Sequence, residues 1–287
     1  MEIVKNFCLA GDSARPMATD IFFNNDGRQK PIVIYAHGFN GFKDWGNFDI
    51  IARQFAEAGF VFVKFNFSHN GTSPAYPEDF VDPEAYGQNN YSRELYDLRT
   101  VIGFVADPAS RFSAEVDRDK IMLLGHSRGG GVAILTAAED ERIKSLATWA
   151  SVAEARTPWG SWTGSRMEEW RQSGVLYYLN ARTKQQMPLD YQLYQDYEKN
   201  KARLDITEAM RSLKIPVLIC HGTKDEAVPV EKAQLLKSAN PSAELFLVES
   251  DHVFGRKHPW TEARLPDPMQ AVVDRTIAFF SNPGKQQ

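Results

Sequence analysis

The chain has 287 residues, 43% of them hydrophobic, so it can bury one large core or two small ones. Its net charge of −4 at pH 7 gives no basic field for a nucleic-acid partner. The N-terminus lacks a secretory-signal pattern, and no apolar run approaches the roughly 20 residues that cross a bilayer. Cys8 and Cys220 are predicted to be buried free thiols in strands, so we expect a cytoplasmic protein with no membrane partner.

The first half of the chain predicts strands that alternate with helices. Short apolar runs bounded by turn residues predict strands at 2–10, 17–23, 32–36 and 60–67. Apolar side chains at helical spacing predict helices over about 45–58 and 91–106, and 76–90 is predicted as a loop.

The second half continues the alternation. Strands are predicted at 121–124, 143–151, 215–220 and 244–249, and helices from residue 130 onward and over 230–239 and 268–280, before a polar tail at 281–287. Strands that alternate with helices indicate an α/β protein whose mostly parallel sheet is covered by helices on both faces.

One segment, residues 154–213, interrupts this pattern. It offers no good strand candidate, and it combines helical-looking polar stretches with many tryptophans and tyrosines. It begins just after a predicted strand, at the sheet edge where open α/β sheets bind ligands. We expect a helical cap inserted between core strands; the alternative is a peripheral helical layer packed through its aromatic residues.

The sequence Gly125-His126-Ser127-Arg128-Gly129 stands between a predicted strand and a predicted helix. This order fits a nucleophile elbow, in which a sharp turn exposes a serine hydroxyl above the sheet. The flanking glycines have a steric reason, because the turn packs against its neighbours and leaves no room for side chains. Ser127 is therefore the candidate nucleophile.

A serine nucleophile needs a base, and the base needs a carboxylate that orients it. Asp225 lies in the loop after the strand at 215–220, and His252 lies in the loop after the strand at 244–249. One helix and one strand separate them, so both side chains can reach the same sheet edge. The order serine, aspartate, histidine is the one that a nucleophile elbow requires.

Other side chains near these loops are weaker candidates. Glu226 is expected to be solvated and Asp251 to be a turn residue. His258 could be the base instead, but the shorter reach from the strand end favours His252. His221 is expected to make structural hydrogen bonds, and the histidines have no company that would form a zinc site. The sequence therefore implies no metal and no organic cofactor.

The oxyanion of a tetrahedral intermediate needs two N–H donors. The elbow offers the backbone N–H of Arg128, and the loop after the strand at 32–36 offers that of Phe39, with Gly38 allowing a close approach. The candidate substrate-binding side chains are His37, His126, Trp159, Trp162 and Phe254.

The chain resembles the α/β-hydrolases over nearly its whole length. The matching stretches are HGF, FNFSHNGTS, GHSRGG, HGTKDEAVP and SDHVF, in that order. Within that superfamily it is similar to the serine esterase branch of dienelactone-hydrolase-like and cinnamoyl- or feruloyl-esterase-like proteins. The resemblance implies one α/β-hydrolase domain over 1–287, a triad of Ser127, Asp225 and His252, and an oxyanion hole formed by Phe39 and Arg128. Dienelactone hydrolases proper have a cysteine nucleophile and dehalogenase-type relatives an aspartate, whereas this chain has serine.

These observations predict a serine hydrolase that cleaves a carboxylic ester of a small acid, with a hydroxycinnamate-like aromatic acid as the candidate. The same machinery could serve an acyl thioesterase or a peptidase, and basic residues of the insertion (Arg166, Arg171, Arg182 and Lys184) keep the thioesterase alternative open. A non-catalytic binding module on the same fold is the third alternative. No residue pattern indicates the oligomeric state.

Overall fold

A computed structural model describes residues 1–282, and a sheet of eight strands forms the centre of this part of the chain. The strands of this sheet are β1 (Glu2–Ala10), β2 (Pro16–Phe23), β3 (Lys30–Ala36), β4 (Val61–Phe65), β5 (Val116–His126), β6 (Ile143–Trp149), β9 (Val217–Gly222) and β10 (Glu244–Val248). Two further strands, β7 (Val175–Leu179) and β8 (Gln186–Asp190), form a separate antiparallel pair.

Helices connect the strands and cover the sheet. They are α1 (Phe48–Glu57), α2 (Pro83–Gly87), α3 (Tyr91–Ala106), α4 (Arg128–Glu139), α5 (Gly164–Ser173), α6 (Gln192–Asn200), α7 (Ile206–Ser212), α8 (Glu231–Ala239) and α9 (Asp267–Ser281). The short helix α2 lies inside the segment that was predicted as a loop.

The strand order in the large sheet is β1-β2-β4-β3-β5-β6-β9-β10. β2 pairs antiparallel with both of its neighbours, and the other six strands of this sheet (β4, β3, β5, β6, β9 and β10) pair in parallel. The carboxyl ends of β3, β5, β9 and β10 therefore lie at one edge, and the loops that follow them can meet there. The prediction of an α/β-hydrolase fold with a mostly parallel sheet is confirmed.

The sheet is buried on both faces, and β5 shows this directly. Ile121 and Leu123 contribute to one hydrophobic cluster, which also contains the apolar faces of α3, α4 and α8. The alternating residues Met122 and Leu124 contribute to a second cluster, which contains the apolar faces of α1 and α9. Side chains of a strand alternate between its two faces, so a continuous apolar run is what a strand covered on both sides requires.

The inserted segment, residues 154–213, contains helices and also the antiparallel hairpin formed by β7 and β8. The prediction that this segment contains no strands is therefore wrong. The aromatic residues of the segment pack around Trp170, which is fully buried against Trp159, Trp162 and Tyr191, and they extend the hydrophobic cluster on one face of the central sheet.

Two smaller predictions concern cysteines and the tail. Cys220 is buried as predicted, but Cys8 is exposed, because β1 is the outermost strand and this position faces solvent. The polar tail predicted at 281–287 lies outside the described residues from 283 onward, and Ser281 is the last residue of α9. No helix within residues 1–282 is long and apolar enough to cross a membrane.

Candidate active site

Ser127 occupies the sharp turn between β5, which ends at His126, and α4, which begins at Arg128. Its φ of 56° and ψ of −122° are rare for a residue with a side chain. The backbone N–H of Ser127 donates to the carbonyl of Trp149 on the neighbouring strand at 2.9 Å, which ties the turn to the sheet. The strained backbone presents the hydroxyl above the carboxyl end of the sheet, as the elbow pattern predicts.

Glycines at 125 and 129 are required by the close packing of this turn. A Cβ at Gly125 would lie 2.3 Å from the carbonyl oxygen of Gly129. A Cβ at Gly129 would lie 2.3 Å from the carbonyl oxygens of both Ala36 and His37, at the end of β3. No side chain fits at either position unless the backbone moves.

Three side chains from three loops form a continuous hydrogen-bonded chain. The Oγ of Ser127 lies 2.9 Å from Nε2 of His252, and Nδ1 of His252 lies 2.7 Å from Oδ2 of Asp225. A carboxylate can only accept, so Nδ1 carries the proton and Nε2 is free to accept the hydroxyl proton of Ser127. This is the geometry by which a histidine activates a serine nucleophile.

Asp225 is held by more groups than His252. Its Oδ1 accepts backbone N–H groups from Ala227 at 2.9 Å and Val228 at 2.8 Å. Nε2 of His221 lies 3.3 Å from Oδ2 of Asp225 and donates to the carbonyl of Val228 at 2.8 Å. Burial raises the pKa of Asp225, but the hydrogen bonds from His221 and His252 outweigh it and hold this pKa well below its usual range. Asp225 is therefore ionised whenever the protein is folded near neutral pH.

The weaker candidates lie where the sequence places them. Glu226 is exposed, and the Oδ1 of Asp251 accepts the N–H groups of Val253 and Gly255 in a turn. His258 accepts the N–H of Gly46 at 3.1 Å through Nδ1, and its Nε2 lies 3.7 Å from Glu78. None of these three side chains hydrogen-bonds to Ser127 within residues 1–282.

The loop after β3 lies directly against Ser127. A Cβ at Gly38 would lie 2.9 Å from Cβ of Ser127, so only glycine allows this approach. Within the described part of the chain, the backbone N–H of the next residue, Phe39, has no acceptor. The Arg128 side chain is fully buried, where its Nε donates to Glu94 at 2.8 Å and its Nη1 to the carbonyl of Thr157 at 3.0 Å. The structure thus places Phe39 beside Ser127, and Arg128 directly after Ser127 at the start of α4.

His37 and His126 are buried next to the site, and both act as structural donors. Nδ1 of His37 donates to the carbonyl of Gly38 at 2.9 Å, and Nε2 accepts the N–H of Phe67 at 3.3 Å. Nε2 of His126 donates to the carbonyl of His252 at 3.0 Å. Burial lowers the pKa of His37 to about 4, and burial together with the nearby His252 holds the pKa of His126 well below its usual range. Both rings are therefore neutral near pH 7.

Two neighbouring cavities share Phe39, Ser127 and His252 as lining residues. The larger has a volume of about 570 Å³ and the smaller of about 200 Å³. Besides those three residues, the larger cavity is lined by Val152, Ala153, Glu154, Arg156, Thr157, Pro158, Gly160, Ser161, Ala227, Val228, Pro229 and Lys232. The smaller cavity is lined by Tyr35, His37, Gly38, Asn40, Gly41, Phe42, Trp45, His126, Val253 and Arg256.

Three of the predicted substrate-binding residues do not line either cavity. Trp159 is 2% exposed and packs inside the inserted segment, and Trp162 packs on Trp170 at 5.1 Å in the same core. Phe254 is fully buried in the cluster beneath α1 and α9. The structure places these three side chains in packed clusters, because an aromatic residue near a site loop is as readily used to fill a core, and their contact with substrate stays a prediction. His37 and His126 do line the smaller cavity, as predicted.

The BD-FAE family model matches residues 19–239, which is most of the chain. The fold is similar to that of Est1E from Butyrivibrio proteoclasticus, with a TM-score of 0.66 and 16% identity over 98% of each chain. It is also similar to the esterase domain of a Rhodothermus marinus protein, with a TM-score of 0.63 and 17% identity over 97% of this chain and 98% of that one. At these identities the likeness shows a shared fold.

Two bacterial proteins match part of the sequence. An uncharacterised protein of Pseudomonas aeruginosa is 25% identical over 134 residues, 46% of this chain and 32% of that protein. The quorum-quenching protein AidA of Acinetobacter baumannii is 24% identical over 116 residues, 40% of this chain and 34% of AidA. The matched regions thus span about a third of these relatives. On the family match and the shared architecture, the chain belongs to the BD-FAE family and has the α/β-hydrolase fold.

Proposed function

We propose that this protein is a serine carboxylic-ester hydrolase that works through an acyl-enzyme intermediate. The observation that carries the proposal is the unbroken chain from Ser127 Oγ through His252 to Asp225, with distances of 2.9 Å and 2.7 Å. The low pKa of Asp225 adds support, because an ionised carboxylate stabilises the imidazolium that forms on His252 during the reaction.

In the proposed mechanism, His252 Nε2 takes the proton from Ser127 as Oγ attacks the ester carbonyl carbon. The tetrahedral intermediate collapses, the bond to the alcohol oxygen breaks, and His252 returns the proton to the leaving alcohol. His252 then takes a proton from water, whose oxygen attacks the acyl-enzyme. Collapse of the second intermediate releases the acid and restores the Ser127 hydroxyl.

The oxyanion hole of this mechanism consists of the backbone N–H groups of Phe39 and Arg128. The Arg128 N–H belongs to the first turn of α4, where the helix dipole also favours negative charge. The free N–H of Phe39 and the contact of Gly38 with Ser127 support the second donor. Preorganised donors of this kind typically contribute about 10²–10³ in kcat each.

We propose that the acid portion of the substrate is small and aromatic, of the hydroxycinnamate class. Aromatic side chains (Tyr35, Phe39, Phe42 and Trp45) form much of the wall of the smaller cavity, whose volume is about 200 Å³. An apolar cavity of about 150 Å³ is known to hold a benzene ring, so the volume suits one substituted ring. The structural neighbour Est1E has been solved with ferulic acid bound, which supports this substrate class.

The inserted segment is proposed to act as a cap over the site. Residues 154, 156–158 and 160–161 from its beginning line the larger cavity, so this part of the insertion shares a cavity with Ser127. We assign this cavity to the other half of the ester.

Three of the basic residues that kept the thioesterase alternative open lie away from Ser127, whereas Arg156 of the insertion and Lys232 line the larger cavity, so an acyl-CoA belongs in the test. Arg171 pairs with Glu168 at 2.6 Å, and the guanidinium of Arg166 lies 4.4 Å from the ring centroid of Trp162. Arg182 lies over Phe42 at 5.3 Å. Within residues 1–282, none of these three arginines lines either cavity next to Ser127.

The test compares kcat/KM for methyl ferulate, a short aliphatic ester and an acyl-CoA, with wild type, Ser127→Ala and the control Ser165→Ala. We expect methyl ferulate to be the best substrate and Ser127→Ala to lower kcat by about 10⁶-fold. Ser165, an exposed serine of α5, should be replaceable without loss.

Other outcomes separate the alternatives. A Ser127-dependent rate on the thioester alone would keep the chemistry and replace the substrate class. If a fluorophosphonate labels neither wild type nor Ser165→Ala at Ser127, then Ser127 is not a nucleophile and the binding-module alternative stands. The cytoplasmic location stays a prediction.

A further inference from the structure

Three oxygen atoms from distant parts of the chain meet beside the Phe39 loop. The hydroxyl of Tyr86, in α2, and the hydroxyl of Tyr178, in β7, both lie within hydrogen-bond distance of Oδ1 of Asn40, and the three oxygens share the two hydroxyl protons. The two hydroxyl oxygens lie 2.5 Å from each other. An amide oxygen has two lone pairs, so one asparagine can accept from both tyrosines at once. The cluster therefore connects the inserted hairpin to the residue that follows Phe39.

Asn40 is a residue whose conformation needs such support. Its φ is +59°, in the left-handed region that asparagine tolerates better than most residues with side chains. Its side chain fixes this conformation through the two tyrosines, and the backbone of residues 38–40 is turned accordingly. On the other side of the same loop, Gly38 presses against Ser127. The three-residue loop is thus held from both ends.

The same two tyrosines also contact Phe39 itself. The ring centroid of Phe39 lies 6.0 Å from that of Tyr86 and 6.0 Å from that of Tyr178. Beyond the ring, the Arg128 guanidinium lies 5.9 Å from its centroid. The side chain of Phe39 and the amide of Asn40 are therefore fixed by one pair of residues, which leaves the N–H of Phe39 little freedom to turn.

Neither tyrosine is among the described residues that line the two cavities at Ser127. Tyr86 is only 5% exposed, and the hydroxyl of Tyr178 is occupied by Asn40 and Tyr86. Neither hydroxyl can therefore bind substrate without first leaving this cluster. Any effect that they have on the reaction must pass through Asn40 and Phe39.

We propose that Tyr178 and Tyr86 are positioning residues that aim the Phe39 N–H at the oxyanion of the tetrahedral intermediate. The inference rests on the proposed function, in which Phe39 is an oxyanion donor. It assigns the inserted hairpin a role in the chemical step, because Tyr178 of this hairpin contacts Asn40, the residue that follows Phe39. The other, Tyr177, is 59% exposed and makes no side-chain hydrogen bond within residues 1–282.

The test uses Tyr178→Phe and Tyr86→Phe, with Tyr177→Phe as the matched control on the same strand. A small misplacement of a catalytic group can cost up to about a hundredfold in rate, so we expect kcat to fall about tenfold in Tyr178→Phe. KM should stay within about twofold, since no substrate contact is removed. Tyr177→Phe should match wild type.

A second readout isolates the oxyanion. A trifluoromethyl ketone of the substrate forms a tetrahedral adduct on Ser127, so its inhibition constant should weaken by the same factor as kcat. A defect in general folding would not weaken the adduct while leaving KM unchanged. The rate at which a fluorophosphonate labels Ser127 should fall in parallel, and this readout needs no knowledge of the substrate.

A second variant tests the cluster from its other end and guards against misfolding of the tyrosine variants. Asn40→Gly keeps the left-handed backbone accessible but removes the shared acceptor. It should lose a similar factor in kcat, and the double variant Asn40→Gly/Tyr178→Phe should lose no more than either alone.

The inference is overturned if Tyr178→Phe and Asn40→Gly keep the wild-type kcat, adduct affinity and labelling rate. It is also overturned if KM rises while kcat is unchanged, since the tyrosines would then act on substrate binding. Failure of the proposed function is a different result, because in that case wild type itself would not be labelled at Ser127.

Discussion

Two histidines lie next to the carboxylate of Asp225, although only one of them is hydrogen-bonded to Ser127. His252 donates to Oδ2 from one side, and His221, which is fully buried, lies 3.3 Å from the same oxygen on the other. Nε2 of His221 also donates to the Val228 carbonyl, so the ring is fixed relative to the loop that carries Asp225. His221 is therefore placed to set the direction in which the carboxylate presents its lone pairs.

This arrangement predicts that His221→Leu lowers kcat while His221→Gln retains most of it. Leucine removes the donor, whereas the amide of glutamine can still donate to Asp225 or Val228. We expect a fall of about tenfold in kcat for His221→Leu, with KM unchanged, because Asp225 would hold His252 less firmly. Steady-state kinetics and thermal unfolding of both variants check this. Equal kcat values at equal melting temperature would show that His221 only fills space.

At the scale of elements, two helical glycines differ in whether their surroundings leave room for a side chain. Gly129 lies in the first turn of α4, against the end of β3, and a Cβ there would overlap two backbone oxygens. Gly103 lies within α3, and a Cβ there would meet no atom within 4 Å. The first glycine is imposed by strand–helix packing, and the second is imposed by nothing in its surroundings.

Gly129→Ala and Gly103→Ala are therefore expected to change stability in opposite directions. Overpacking should lower the free energy of unfolding of Gly129→Ala by about 1–3 kcal/mol and displace Ser127, with loss of activity. Gly103→Ala should raise it by about 0.5–1 kcal/mol with activity unchanged, since alanine loses less backbone entropy in a helix than glycine. Urea unfolding and ester hydrolysis measure both. A stable, active Gly129→Ala would contradict the steric account of the elbow.

The elements that the sequence predicts well are those whose signal is local. The apolar runs of β3, β5 and β9 are continuous because both faces of the sheet are covered, and that property is readable in a short window. The hairpin of β7 and β8 was missed because each strand is short, β8 contains Pro188, and Tyr177 and Leu179 of β7 are exposed. Proline is compatible with an edge strand, and both strands of a two-stranded sheet are edges.

At the scale of the whole molecule, chain order predicts which loops meet but not which side chains touch within them. Ser127, Asp225 and His252 were predictable because the carboxyl ends of parallel strands share one edge. The contact between Tyr178 and Asn40 joins residues 138 positions apart, and that between His126 and the His252 carbonyl joins residues 126 apart. No local pattern encodes such contacts, since they depend on how the insertion packs on the sheet.

A cluster of buried charged side chains connects several elements from the first third of the chain. Asp20 of β2 is fully buried, and it accepts from Lys43 at 2.7 Å and from Lys5 at 3.0 Å. Lys64 of β4 is also fully buried, lies 2.5 Å from Asp49 of α1, and pairs with Asp44 as well. Three carboxylates and three ammonium groups thus neutralise one another between three strands (β1, β2 and β4), the helix α1 and the loop after β3. A charge left alone in such a place would be costly.

The cluster predicts a loss of stability in acid. Burial raises the pKa of Asp44, but the ammonium groups of Lys64, Lys43 and Lys5 outweigh it and hold this pKa well below its usual range. A carboxyl whose pKa is lower in the folded state stabilises the protein above its unfolded pKa of about 3.9. This stabilisation is lost progressively as the pH falls below that value toward the lower pKa of the folded state.

Asp44→Asn should therefore be less stable than wild type at pH 7 and should approach it as the pH falls. We expect a difference of about 1–3 kcal/mol at pH 7, the usual contribution of hydrogen bonds to a charged group, because the lysines lose a charged acceptor. The control Glu208→Gln removes an exposed pair with Arg211 and should cost under about 1 kcal/mol. Urea unfolding at pH 7, 4 and 3 measures all three proteins. A difference between Asp44→Asn and wild type that stays constant with pH would mean that Asp44 contributes through packing, because only an ionised carboxylate can lose its contribution on protonation.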